Sequence, residues 1–213
     1  MLNLNQITPY DAHNETQLQK ICLTCTKCVL AETRTNVVFG HGPSPSNIMI
    51  IGEGPGEQED LSGKPFVGRS GKLLTQLLTS AGINREKDTF IANTVKCRPP
   101  QNRTPLPNEI NACKSYLIRQ IQLIKPKILL LLGAPSLKTI CDKKLTISKV
   151  RGQWILNKVN YMKEDLLIMP LFHPSYLLRF ASKKEGSPKW LTEQDLLKVK
   201  NHLDKINDQS IAL

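Results

Sequence analysis

Four short apolar runs, separated by stretches with helical spacing, constrain the fold of this 213-residue chain more than any other feature. They are NIMII (47–51), FIANTV (90–95), KILLLLG (127–133) and LLIMPLF (166–172). None alternates regularly between polar and apolar positions, so each predicts a strand covered on both faces. Between them, GKLLTQLLTSA (71–81) repeats leucine at helical spacing, and 108–124 carries apolar side chains at 110, 112, 117, 118, 121 and 124 until Pro126 stops it. Further helices are predicted over 15–21, 134–141 and 191–206. Strands alternating with helices specify an α/β fold, a three-layer α/β/α sandwich around a mostly parallel four-stranded sheet, in a single domain spanning 1–213. Stretches 150–163 and 181–188 read as loops or irregular hairpins. Ligands of such sheets bind at the carboxyl ends of the strands. That rule lines up the turn after Ile51, the end of 90–95 and the turn at His173 along one rim.

With 40% hydrophobic residues the chain buries a sizeable core. No apolar run reaches membrane-spanning length and the N-terminus lacks a basic-then-apolar signal, so an intracellular, cytoplasmic and nucleoid-associated location is expected, without a membrane partner and as a monomer. The net charge of +11 is uneven: residues 1–95 hold 8 basic and 9 acidic side chains, residues 96–213 hold 21 and 9. An excess of that size is either a solubilising surface or the footprint of a phosphate-backbone binder, and charge alone does not choose.

The turn after the first strand, GEGPGEQED (52–60), is rich in glycine and acid. Its G-x-G-x-G spacing is not that of a dinucleotide loop, and Glu53, Glu57, Glu59 and Asp60 stand where a pyrophosphate would sit. GKPFVGRS (63–70) has the P-loop spacing with Arg69 in place of lysine, but begins about a dozen residues beyond its strand. Such a turn suits a neutral ligand.

Cys22, Cys25 and Cys28 form C-x2-C-x2-C, with Cys97 and Cys113 far downstream and Cys141 alone on an apolar stretch. Cys141 reads as a small buried hydrophobe. The cluster points to zinc or iron–sulfur, between which spacing does not decide, and one of its thiols is surplus to a four-thiolate site.

Taken together, CTKCVLAETRT (25–35), GEGPGEQED (52–60), GKPFVGRSGKLL (63–74), NTVKCRPPQNRTP (93–105), ACKSYL (112–117) and HPSYLLR (173–179) resemble, in order, the motifs of the family 4, iron–sulfur type uracil-DNA glycosylases. The resemblance covers roughly residues 20 to 180. It implies a [4Fe-4S] cluster held by Cys25, Cys28, Cys97 and Cys113, with Cys22 a bystander. It also implies an enzyme that binds uracil-containing DNA, single- or double-stranded, flips the uracil out and hydrolyses its N-glycosidic bond to start base excision repair.

On the same resemblance, Gly52, Glu53 and Gly54 line the uracil pocket, Phe66 stacks on the ring, Asn93 reads its edge and His173 lies beside O2. An extruded base needs an aromatic face to replace lost stacking, and an asparagine amide pairs with uracil O4 and N3–H but not with cytosine's reversed pattern. A His173 donor at O2 stabilises charge as the bond breaks. Glu53 either positions water or stabilises the sugar cation. Glu59 is expected to crowd C5 against thymine, and Asn102 to assist near the pocket. Ser175, Leu177, Leu178 and Arg179 are expected to face DNA, the leucines filling the gap left by the flipped base. A related subgroup that links covalently to uracil carries a histidine in an insertion after its third cysteine, whereas CRPPQNRTPLPNEINAC (97–113) has none. Release of free uracil follows. The competing readings are a catalytically silent iron–sulfur DNA-binding module related to phage-type polymerase-associated proteins, and a zinc phosphohydrolase, which would be colourless.

Overall fold

The computed structural model describes residues 8–141, 144–157, 166–180 and 182–211. Parts of the two stretches read as loops, residues 158–163 and Ala181, lie outside them.

Strands β1 (Ile48–Gly52), β2 (Thr89–Asn93), β3 (Ile128–Leu132), β4 (Ile155–Asn157) and β5 (Leu166–Leu171) form a five-stranded sheet in the order β2-β1-β3-β5-β4. All neighbours pair in parallel except β4, which runs antiparallel to β5. The expected four strands are present, and β4 is an addition within the stretch read as a loop. Three residues on a sheet edge are too short to show a period, so only pairing with β5 reveals this strand.

Every residue of β1, β2 and β3 is buried, as continuous apolar runs require. One face, carrying Met49, Ile51, Phe90, Leu129 and Leu131, packs with Leu18 of α1 (Glu15–Leu23) and Tyr116, Leu117 and Ile121 of α6 (Pro107–Ile124). The opposite face, carrying Ile48, Ile50, Ile91, Leu130 and Met169, packs with Leu74, Leu77 and Leu78 of α4 (Arg69–Ser80) and Leu196 and Val199 of α10 (Pro188–Ile211). Helix α2 (Leu30–Thr33) follows the first cysteines, α3 (Glu57–Ser62) and α5 (Arg85–Asp88) border the rim loops, and α7 (Gly133–Ile140), α8 (Ile147–Val150) and α9 (Pro174–Leu177) complete the layers. No described helix is long and apolar enough to cross a membrane.

A buried ion pair ties the last helix to the turn between α8 and β4. Both nitrogens of an Arg151 fork, Nε at 3.0 Å and Nη2 at 2.8 Å, donate to Asp195, which burial pushes above the ordinary carboxylate range while Arg151 pulls it down.

Candidate active site

At the carboxyl rim of β1, β2 and β5 lies a cavity of about 350 Å³, lined by Glu53, Gly54, Glu59, Phe66, Asn93 and His173, with Asn102, Arg103 and Ser175 at its margins. The elements deliver these side chains for simple reasons. Gly52 and Asn93 are paired partners at the ends of β1 and β2. A Cβ on Gly52 would overlap both Asn93 Oδ1 and the Phe66 ring, so glycine lets amide and ring converge there. Gly54 crowds Val95 in the same way.

Phe66 is held firmly. Its φ is +53°, and its carbonyl accepts a hydrogen bond from Arg85 Nη1 at 2.8 Å while Pro65 O accepts one from Nη2 at 2.7 Å. Gly71 in the first turn of α4 abuts the Phe66 backbone so closely that a Cβ would collide with its carbonyl. A left-handed phenylalanine persists only where its surroundings over-determine it, and Arg85 and Gly71 supply that constraint. The Phe66 and His173 ring centroids are 5.8 Å apart.

Asn93 is 1% exposed and its Oδ1 has no hydrogen-bond partner. Its carbonyl accepts from the buried Nζ of Lys96 at 2.8 Å. Glu53 sits in the turn, its carbonyl accepting from Val95 N–H at 3.3 Å and from the Thr94 hydroxyl.

His173 caps α9. Its Nδ1 accepts the Ser175 N–H at 3.1 Å and lies 2.7 Å from Ser175 Oγ. With Nδ1 acting as acceptor, the neutral ring carries its proton on Nε2, the nitrogen left to donate to a ligand. Burial holds the pKa down at about 4, opposed by the Glu59 charge, so the ring is neutral at physiological pH. A Cβ on Gly133 would press on His173 Cβ at 3.1 Å, which explains glycine after β3.

Glu59 lines the cavity, but its carboxylate is engaged with backbone. Oε2 accepts from Gly56 N–H at 3.1 Å, and Oε1 accepts from Val67 and Gly68 N–H at 2.8 and 2.7 Å. Asn102, at φ +57°, accepts from Arg98 Nε at 2.8 Å through its side chain. Arg103 forms a two-pronged pair with buried Glu109 at 2.9 and 2.6 Å, and this hydrogen bonding, ahead of the burial that opposes it, lowers the Glu109 pKa.

Beyond His173, Leu177 is fully buried, while Leu178 is 37% exposed. Leu177 packs under α4 in the core, which corrects its place among DNA-facing side chains, because a side chain that completes the core cannot also enter DNA. Leu178, Arg179 and Ser175 are exposed. Three rings climb the same surface: Phe172 lies 5.0 Å from Tyr176, and Tyr176 lies 4.8 Å from Phe180. Arg151 stands over Phe172 at 5.8 Å. Sequence reasoning overlooked this ladder, although its four-residue spacing was visible, because helix α9 alone is too short to show it.

A second, smaller cavity is lined by Cys22, Cys25, Cys28, Cys97 and Cys113 together with Arg34, Lys96 and Tyr116. Arg34 Nη1 donates to Cys97 Sγ at 3.2 Å. Among the described residues no three His, Cys, Asp or Glu side chains close on one point as a single ion demands. The donor set instead fits a larger, anionic thiolate-bound group: cysteines from three segments ring one space, and the buried Lys96 ammonium and Arg34 bring positive charge to it. Burial raises the Cys22 thiol pKa and pushes that of Cys113 up to about 12.

A family model described as Uracil DNA glycosylase superfamily matches residues 39–197. A type-4 uracil-DNA glycosylase of Thermotoga maritima is 47% identical over 182 residues, covering 85% of this chain and 90% of its own. Type-4 uracil-DNA glycosylases of Saccharolobus solfataricus and Sulfurisphaera tokodaii are 45% and 41% identical, covering 84% and 86% of this chain and 82% of theirs in each case. The chain thus belongs to the uracil-DNA glycosylase superfamily and, within it, to the type-4 family.

Proposed function

We propose that this protein is a uracil-DNA glycosylase that receives an extruded uracil in the 350 Å³ cavity, hydrolyses its N-glycosidic bond and releases the free base. The observation that carries the reading is the unpartnered Asn93 Oδ1, buried in the pocket wall where the Phe66 ring also converges. A buried acceptor left unpaired is costly unless a ligand pairs with it. Uracil N3–H is such a donor, while the amide nitrogen donates to O4. Cytosine presents an acceptor at N3 and a donor at its amino group, leaving both halves of the amide opposed.

The base stacks on Phe66, and His173 Nε2–H donates to O2, where negative charge grows as the bond to the sugar breaks. A neutral donor suits this role, because it needs no pH adjustment above its pKa of about 4. The Glu53 carboxylate faces the sugar side, and there it orients water or favours the sugar cation. Leu178 enters the space vacated by the base and Arg179 holds phosphate. Cys25, Cys28, Cys97 and Cys113 would hold a [4Fe-4S] cluster whose chemistry is structural, joining the N-terminal segment, the segment after β2 and α6.

The test is incubation with a uracil-containing oligonucleotide followed by alkali cleavage, in single- and double-stranded form, with cytosine and thymine controls. Strand breaks at uracil alone support the reading; intact uracil strands with brown, folded protein would reduce it to a silent DNA-binding module.

A further inference from the structure

The cluster cavity contains one thiol more than a cubane requires. Cys22 lies in the last turn of α1, is 1% exposed, and lines the same space as Cys25, Cys97 and Cys113. It is joined to Cys25 by a tight turn in which the Cys25 N–H donates to the Cys22 carbonyl at 3.1 Å. The spacing Cys22-x2-Cys25 repeats that of Cys25-x2-Cys28, so two neighbouring registers offer a thiol pair to one cavity.

On the proposed cluster reading, we infer that Cys22 is a reserve ligand, able to take the iron position of Cys25 when that thiolate is lost. The exchange is balanced: the Cys22 thiol gives its proton to solvent, its sulfur bonds the iron that residue 25 no longer holds, and no iron changes oxidation state. Helix α1 stops at Leu23 and the turn that follows bends Cys25 back towards Cys22, so the move needs a shift of one turn and no rearrangement of the sheet. Lys96, buried at the same cavity, adds positive charge beside the incoming sulfur. Cys28 has no such neighbour on its far side, since Val29 to Thr33 carry no thiol.

The bland alternative is a buried cysteine that merely fills the core under Tyr116, and it predicts that Cys22 never touches iron. Iron per chain, the visible absorption of the cluster and soluble yield separate the two. Wild type and Cys22→Ala should be equally brown. Cys25→Ala should remain brown, with about half or more of the wild-type iron and an altered electron paramagnetic resonance spectrum after reduction. Cys22→Ala/Cys25→Ala and Cys28→Ala should be colourless and poorly soluble. Cys25→Ala as bleached or as insoluble as the double variant overturns the reserve role. A repeat with Cys25→Ser, which preserves side-chain size, guards against loss through packing, and the same outcome there overturns the role as well. Iron-free wild-type protein would instead sink the cluster reading beneath it.

Discussion

Glu59 joins two loops with one carboxylate, accepting from Gly56 on one side and from Val67 and Gly68 on the other. In Glu59→Gln one oxygen still accepts, but an amide group meets the other donor or donors, so at least one charge-assisted hydrogen bond is lost. About 1.5 kcal/mol of stability should go with it, read as a lower midpoint in urea, and uracil excision should slow as Phe66 shifts. Thymine should stay uncut; thymine excision by this variant would make Glu59 the C5 gate instead. His173→Ala should slow single-turnover excision about a hundredfold, the scale of a lost oxyanion donor, with DNA affinity unchanged. The same histidine leaves a pH signature. Its folded pKa of about 4 lies below the ordinary 6.5, so the unfolded chain binds a proton that the fold refuses. Its contribution is intact above about pH 6.5 and is lost as pH falls from there towards 4. The wild-type midpoint should therefore fall more steeply than that of His173→Gln in this window. Asn93, Phe66 and His173 were singled out in sequence by the motifs that carry the family resemblance, and the fold brings them to one cavity because each sits at a strand end or in a loop that borders the same rim. The grips of Glu59 and Arg85 were not, because their partners are mainly backbone groups of loops whose positions only the fold defines.

The elements carry a second lesson, in the way α4 presses on the pocket. Gly71 allows its helix to reach the Phe66 backbone, and Arg85 of α5 pins the same carbonyl from the other side. Gly71→Ala gains helix propensity but forces the two elements apart, a net cost of about 1–3 kcal/mol for overpacking. Excision should fall with a raised KM, and a crystal structure should show Phe66 displaced; unchanged kinetics would mean the Phe66 loop yields freely. In the sequence, GKLLTQLLTSA announced the helix, but nothing in it announced that its first residue is the point of closest approach. The four buried strands were readable because their runs are uniformly apolar. Strand β4 was not, since three residues on an edge owe their structure to the partner strand. Helix α9 misled for a related reason: four residues cannot display a period, so Leu177 and Leu178 looked equivalent although one is core and the other surface.

Across the whole molecule, the cavity takes its lining from both the acidic, glycine-rich loops of the first half and the 99–105 stretch, His173 and Ser175 of the second, while the basic excess lies in the second half. On the proposed reading the cavity serves the chemistry and the basic surface beyond His173 serves the grip on DNA. Arg179, Lys183, Lys184 and Lys189 follow His173 along the chain, and the first three are exposed. The aromatic ladder Phe172–Tyr176–Phe180 lies beside the first of these, so the surface combines cations with rings, as binding to phosphates and splayed bases requires. Neutralising Arg179, Lys183 and Lys184 to glutamine should weaken binding to uracil-free DNA and make its salt dependence shallower by roughly one unit of slope for each phosphate that no longer meets a cation. At saturating enzyme, single-turnover excision should be nearly unchanged, because none of these side chains lines the cavity. His173→Ala should give the mirror image, with unaltered salt slope and a slow chemical step. Should the neutralised variant bind as tightly as wild type while losing excision, the basic surface serves the chemistry and DNA is held elsewhere.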